Sequence, residues 1–278
     1  MGSPAELFGR AFFIDSPIYT TNEALPGRIP IPNFDPGNTK TIIMLRFIPL
    51  AFILTITSCV SNETSDSKDV NQAEIYQTYR INCVEGNTSV TASFRFGGEN
   101  GTTLRLSKPA SITYNQKSLT ESKFLLGGAF YRQDNAGTVA KHIFLFTDID
   151  GKKYTNSYDF EPVEFINAPK KASKSENLVL PVTRRINADE AITFRAECDT
   201  IKFNETTIGN SAADLVYYND SVQALVVKPA FFEGFTDIPA KMWMEKSEFR
   251  AKLNESTNLP GEMHFSYQSK IISVGRKK

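Results

Sequence analysis

The chain of 278 residues has three cysteines, two histidines and no surplus of either charge. There is no C-x-x-C pair, and the histidines are His142 and His264 alone, so the ligand spacing of a zinc site is missing. No cofactor and no metal are expected. Lys+Arg number 31 and Asp+Glu number 31. A protein that displaces counterions from phosphates needs a basic excess, so nucleic acid is not an expected partner. With 41% hydrophobic and 22% charged residues, collagen-like, coiled-coil and low-hydrophobicity disordered classes are excluded as well. Long apolar runs are also lacking. Residues 47–56 form an apolar stretch of ten, which as a helix at about 1.5 Å per residue covers roughly half of a hydrocarbon core of about 30 Å.

What that stretch does have is the length of a signal-peptide core. Residues 44–59 read MLRFIPLAFILTITSC, with Arg46 as a short basic lead and small residues running into Cys59. This resembles the lipobox of bacterial lipoproteins. The resemblance implies that residues 44–58 are a signal peptide, cut just before Cys59, and that Cys59 carries the lipid. At roughly 0.8 kcal/mol per buried methylene, two or three acyl chains hold a soluble body at a bilayer. A short membrane helix or a buried helix is the rival reading of the same stretch.

The flanks are read from this. Residues 59–72 are expected to form the lipidated Cys59 and a flexible tether, because VSNETSDSKD is polar and lacks an apolar period. Glu63 and Asp66 resemble the acidic residues that accompany export to the outer face of the outer membrane in Bacteroidota. Residues 1–43 hold Pro4, Pro17, Pro26, Pro30, Pro32 and Pro36 and no sustained period. They are expected to be a start-site extension or a disordered segment, with translation beginning at Met44. Removing residues 1–58 takes away Arg10, Arg28, Lys40 and Arg46 along with Glu6, Asp15, Glu23 and Asp35, so the mature part stays neutral and steering toward polyanions is not expected.

Phe 21 and Tyr 10 are high counts and favour strands. The stretch VTASFRF at 90–96 alternates Val90, Ala92, Phe94 and Phe96 against Thr91, Ser93 and Arg95, the pattern of a strand with one wet face. Further strands are expected at 79–85, 103–106, 111–114, 128–132, 141–148, 153–158 and 163–166. After the basic, proline-bearing stretch 167–177, others are expected at 191–197, 222–228, 241–245, 248–253, 263–267 and 271–274. Residues 240–253 contain good helix formers, yet the strand reading is preferred there. The predicted fold is all-β: two immunoglobulin-like β-sandwich domains in tandem, at 73–166 and 167–278. With Cys83 and Cys198 placed in different domains, two buried thiols are expected rather than a disulfide.

Little of the chain carries chemistry. Asp148, Asp150 and Gly151 resemble half of a calcium loop, but Lys152 follows and the distal acids are missing, so a hairpin turn is expected. The glycine-rich 97–101 stretch precedes a strand, not the helix that a phosphate loop needs. No G-x-S-x-G motif accompanies the histidines, and no catalytic residue is named. Phe231, Phe232 and Phe235 beside Gly234, and Trp243 opposite Met242 and Met244, are the candidate binding aromatics; ordinary core packing is the other reading. Thr200 and Ser221 resemble the short Asp-Ser/Thr-aliphatic O-glycosylation sites of Bacteroidota.

Taken with the lipobox, the runs FRFGGENGTTLRLSKPASITY, FTDIDGKKYTN and GEMHFSYQSKIISV make the chain resemble surface lipoproteins of Bacteroidota with tandem immunoglobulin-like β-sandwich domains. The resemblance implies a lipid-anchored protein of the bacterial cell envelope, on the outer membrane, acting as a non-catalytic binding or structural module. Its expected partners are the membrane, through the lipid anchor, and an envelope protein or glycan. A fimbrial or adhesin subunit and a polysaccharide-active enzyme are the alternatives.

Overall fold

A computed structural model describes residues 64–123, 128–134, 136–198, 203–235 and 239–276. The lipobox-like segment, Cys59 and Thr200 lie outside the described residues. Within them the chain is mostly β-sheet, and its helices are three short 3-10 turns. There are nineteen strands, numbered here in chain order.

The largest sheet runs β1 (Thr64–Asp66), β4 (Thr102–Arg105), β3 (Asn87–Phe96), β2 (Ile75–Val84), β18 (Glu262–Gln268), β17 (Ala240–Arg250), β13 (Thr193–Glu197) and β14 (Phe203–Thr207). Four more strands extend it: β8 (Ala129–Gln133) on β3, β7 (Thr120–Lys123) on β8, β19 (Ile272–Arg276) on β17 and β11 (Lys171–Ala172) on β19. A second sheet runs β10 (Lys153–Asp159), β9 (Lys141–Thr147), β5 (Ser111–Tyr114) and β6 (Lys117–Ser118), and a third runs β12 (Leu178–Pro181), β16 (Ala224–Val227) and β15 (Val216–Asn219).

Alternation explains the large sheet. In β3, Val90, Ala92 and Phe94 are buried while the residues between them are partly open. In β17, Met242 and Met244 face the core, and Lys246, Glu248 and Arg250 follow on the same face. The helix propensity of this stretch is overridden because its alternation satisfies three neighbours at once: β13, β18 and β19. Strands expected at 241–245 and 248–253 are therefore one strand. In β16 every residue is buried, as suits a strand flanked by β12 and β15. The stretch 163–166 forms no strand; its only ladder contact is a bridge from Phe165 to Val182.

The second sheet packs on the face of the large one that carries Tyr79, Phe94 and Phe265, and Leu178, Leu180, Val216, Leu225 and Val227 of the third sheet belong to the same buried cluster as these and Phe194. Aromatic rings fill the space. Tyr79 stacks on Phe144 at 4.5 Å, Phe94 meets Phe146 at 4.6 Å and Tyr158 stacks on Phe265 at 4.2 Å. On the other side Phe194 meets Phe231 at 5.3 Å.

The expected division at 167–177 does not separate two sheets. Strand β2 pairs in parallel with β18 over seven positions, from Glu262 opposite Thr78 to Gln268 opposite Val84, and residues 60–278 make one compact unit. The stretch expected as a tether also differs. From Thr64 it is part of the body: β1 pairs with β4, Ser67 is fully buried, and Gln72 donates from Nε2 to the Ser67 carbonyl at 2.6 Å. Its polar side chains satisfy backbone groups, so polarity did not mean freedom. Cys83 and Cys198 are both buried and are not bonded to each other.

Strands β18 and β19 are one path along β17, interrupted by a bulge. Three residues, Ser269 to Ile271, stand opposite Trp243 and Met244. Ser269 is fully buried; its hydroxyl accepts the Met244 N–H at 2.9 Å, and its own N–H donates to the Met244 carbonyl at 2.9 Å.

His142 sits in this ring-lined core. It is fully buried, its Nδ1 lies 2.8 Å from the Tyr114 hydroxyl, and its ring is flanked by Tyr158 and Phe265. Burial pushes its pKa down to about 4, only partly opposed by Asp159. The folded state therefore favours neutral His142. Its contribution is complete above about pH 6.5, the usual value of a free histidine, and is lost as pH falls from there toward 4, by about 3 kcal/mol in all. His142→Phe is expected to flatten this part of the acid response. Urea midpoints of wild type and variant should converge between pH 6.5 and 4; a constant gap would show that His142 does not set it.

Candidate functional site

The opposite face of the large sheet collects the side chains that alternate away from the core. Along β17 these are Lys241, Trp243, Glu245, Ser247 and Phe249, and along β18 they are Glu262, His264, Ser266 and Gln268. Two rings project from it: Phe249 is 57% exposed and Phe203 is 45% exposed.

Phe249 lies directly opposite His264 in the register, with ring centroids 4.8 Å apart. His264 Nε2 is 3.4 Å from Glu262 Oε1. The Glu262 carboxylate is largely buried and is held by two hydroxyls of β2: Thr78 donates to Oε1 at 3.1 Å and Tyr76 donates to Oε2 at 3.3 Å. Parallel pairing places them, because Glu262 stands opposite Thr78. The Tyr76 phenol is pushed up to about 12, by burial first and then by the charge of Glu262. It stays protonated and donates.

A carboxylate fixed in orientation, an imidazole and an exposed ring stand side by side on this face.

Trp243 shares this face but is covered. Its Nε1 donates to Glu245 Oε1 at 2.5 Å. Arg195, opposite it in register, pairs with Glu245 at 2.6 Å and with Glu205 at 3.1 Å and lies over the Phe203 ring. Phe203 packs 6.2 Å from the indole. The other candidate aromatics are elsewhere: Phe231, Phe232 and Phe235 are buried in and after the 3-10 turn that follows β16, with Phe231 against Phe194. They occupy the core, where the glycine turn brings three rings together edge to face. Ser221 is exposed in the turn joining β15 and β16, where its N–H donates to Asn219 Oδ1 at 3.0 Å. Phe249 was not named from sequence, although a signal existed: it lies six residues after Trp243, an even spacing that returns to the same strand face.

The acidic turn after β9 is occupied by its own backbone. Asp148 is buried, and its Oδ1 accepts from the N–H groups of Asp150 at 3.0 Å and Lys152 at 2.9 Å, while Gly151 takes a φ of 82°. Among the described residues no group of three or more His, Cys, Asp or Glu is placed to hold a metal ion.

A cleft of about 440 Å³ on the core side is lined by Lys141, Asp159, Phe160, Glu161, Glu190 and Lys246 among others. Two of its charges are paired: Glu190 with Arg184, and Lys246 with Glu248 at 3.6 Å. Arg184 grips Glu190 with two nitrogens at 2.9 and 2.8 Å, and both Arg184 and Lys246 lie 5.7 Å from the Phe160 ring. Burial alone would raise Glu190, but Arg184 and the Asn187 N–H hold it below the usual carboxylate range. This network ties the loop before β13 to the end of β10.

No family model matches the chain, and no curated protein matches it.

Proposed function

We propose that this protein is a lipid-anchored module of the bacterial cell envelope, placed at the outer membrane by acyl chains on Cys59, and that it binds a glycan or glycan-bearing envelope partner without catalysing a reaction. The observation that carries the reading is the run from Arg46 through the ten apolar residues 47–56 to Cys59, followed at Thr64 by an all-β body. The body is read as two immunoglobulin-like sandwiches that share the large sheet, each capped by one of the smaller sheets. Ligand recognition is assigned to Phe249, His264 and Glu262.

A second reading, a fimbrial or adhesin subunit, has one observation in its favour. Among the described residues β14 pairs with β13 alone, and Phe203, Glu205 and Thr207 are exposed along it, so this edge offers a place for an added strand. Growth of the sedimentation coefficient with concentration would support assembly; a constant monomer value would remove that reading.

For the anchor, labelled palmitate should enter the wild type and not Cys59→Ser, and the variant should move from the membrane to the soluble fraction. No labelling, or unchanged membrane association, would overturn the anchor. For the site, Phe249→Ala should shift stability by no more than about 0.5 kcal/mol, since the ring is exposed. It should weaken retention on envelope polysaccharide by about tenfold, the loss of roughly 1.4 kcal/mol of stacking. Unchanged retention would exclude this face as the glycan site.

A further inference from the structure

The described body begins at Thr64, five residues after Cys59. Fully extended, five residues span at most about 18 Å. Strand β3, with ten residues, is about 30 Å long at roughly 3.4 Å per step. A lipid on Cys59 thus holds the body on a leash shorter than its own strands.

The end of the body at which the leash enters is defined by register. Thr64 stands beside Thr103 in parallel β1 and β4, and Phe96, the last residue of β3, stands opposite Thr102. The start of β2 is at the same end, because Ile75 is opposite Phe96. So is the start of β8, whose N-terminal neighbour Gly128 donates its N–H to Thr64 Oγ1 at 3.1 Å. The turn 97–101 closes β3 and β4 there. The β2–β3 turn at Glu85 and Gly86 marks the opposite end.

Resting on the lipid anchor proposed above, the geometry points to a membrane-facing end of this protein: the end carrying the 97–101 turn and the starts of β1, β4 and β8 lies against the lipid surface, and the Glu85–Gly86 end points away. The occupant of this surface is the bilayer that receives the acyl chains, and covalent reach selects it. The anchor cannot move further from Thr64 than the leash allows, whereas the opposite end is a strand length away.

The test uses the full, lipidated chain in phospholipid vesicles containing a nitroxide-labelled lipid, with a fluorophore on a cysteine introduced by Asn100→Cys or by Asn87→Cys, both exposed positions. Flotation with the vesicles is read on the same samples. Quenching at position 100 should exceed that at position 87 severalfold. Insertion of about twenty Gly and Ser residues after Val60 should bring the two toward parity, because a leash of that length no longer restricts rotation. Flotation with equal quenching, or with stronger quenching at position 87, overturns the orientation and leaves the anchor standing. Failure to float overturns both.

Discussion

The structure depends on the parallel pairing of β2 with β18. It joins a strand near the start of the described body to one near its end, so everything between must close back on itself. Parallel strands need a long crossover; here the crossover is most of the fold. The pairing also explains the long-range polar contacts beside it. Thr257 donates to the Ile75 carbonyl at 2.7 Å, Glu255 and Asn156 exchange contacts across β10, and the Tyr267 hydroxyl donates to the Val163 carbonyl. Each satisfies a buried group that strand pairing left open, and an unsatisfied buried group costs about 1–3 kcal/mol. Slipping this register by one residue would turn Phe265 and Tyr267 out to water and bring Glu262 and His264 into the ring-lined core.

How much of this could be read beforehand follows the reach of each interaction. Strand β3 was legible because Val90, Ala92 and Phe94 alternate within seven residues. Strand β5 was legible because its limits are set by local turns. Strands β12, β14 and β15 were not expected. In FNETT nothing alternates in hydrophobicity, and β14 exists because β13 offers it an edge. The sharing of one sheet across residue 167 was illegible for the same reason: no local pattern records that Phe265 will lie beside Ile81. The polar stretch from residue 64 misled because hydroxyls and amides, taken alone, look like solvent-exposed groups, whereas Ser67 and Gln72 spend theirs on buried backbone.

The candidate site shows the same division. Trp243 was legible as a ring at odds with its methionine neighbours, and the structure does put it on the other face. What covers it, Phe203 and Arg195, comes from β14 and β13. The most exposed ring is Phe249; His264 beside it and Glu262 come from β18, and Thr78 and Tyr76, which hold Glu262, come from β2. A candidate surface assembled across three strands, β2, β17 and β18, has no sequence motif, only positions of even spacing within each strand.

The proposed anchor and the candidate site are related by one piece of geometry. The leash enters at the ends of the strands, while Phe249, His264 and Glu262 lie on a face that runs along them. In that proposed arrangement, with the strand ends against the lipid, the face would stand away from the bilayer plane and open sideways. The same β2–β18 ladder that holds Glu262 against Thr78 continues through β3 and β4 to Thr64, so one register sets both the candidate face and the end of the body at which Thr64 lies.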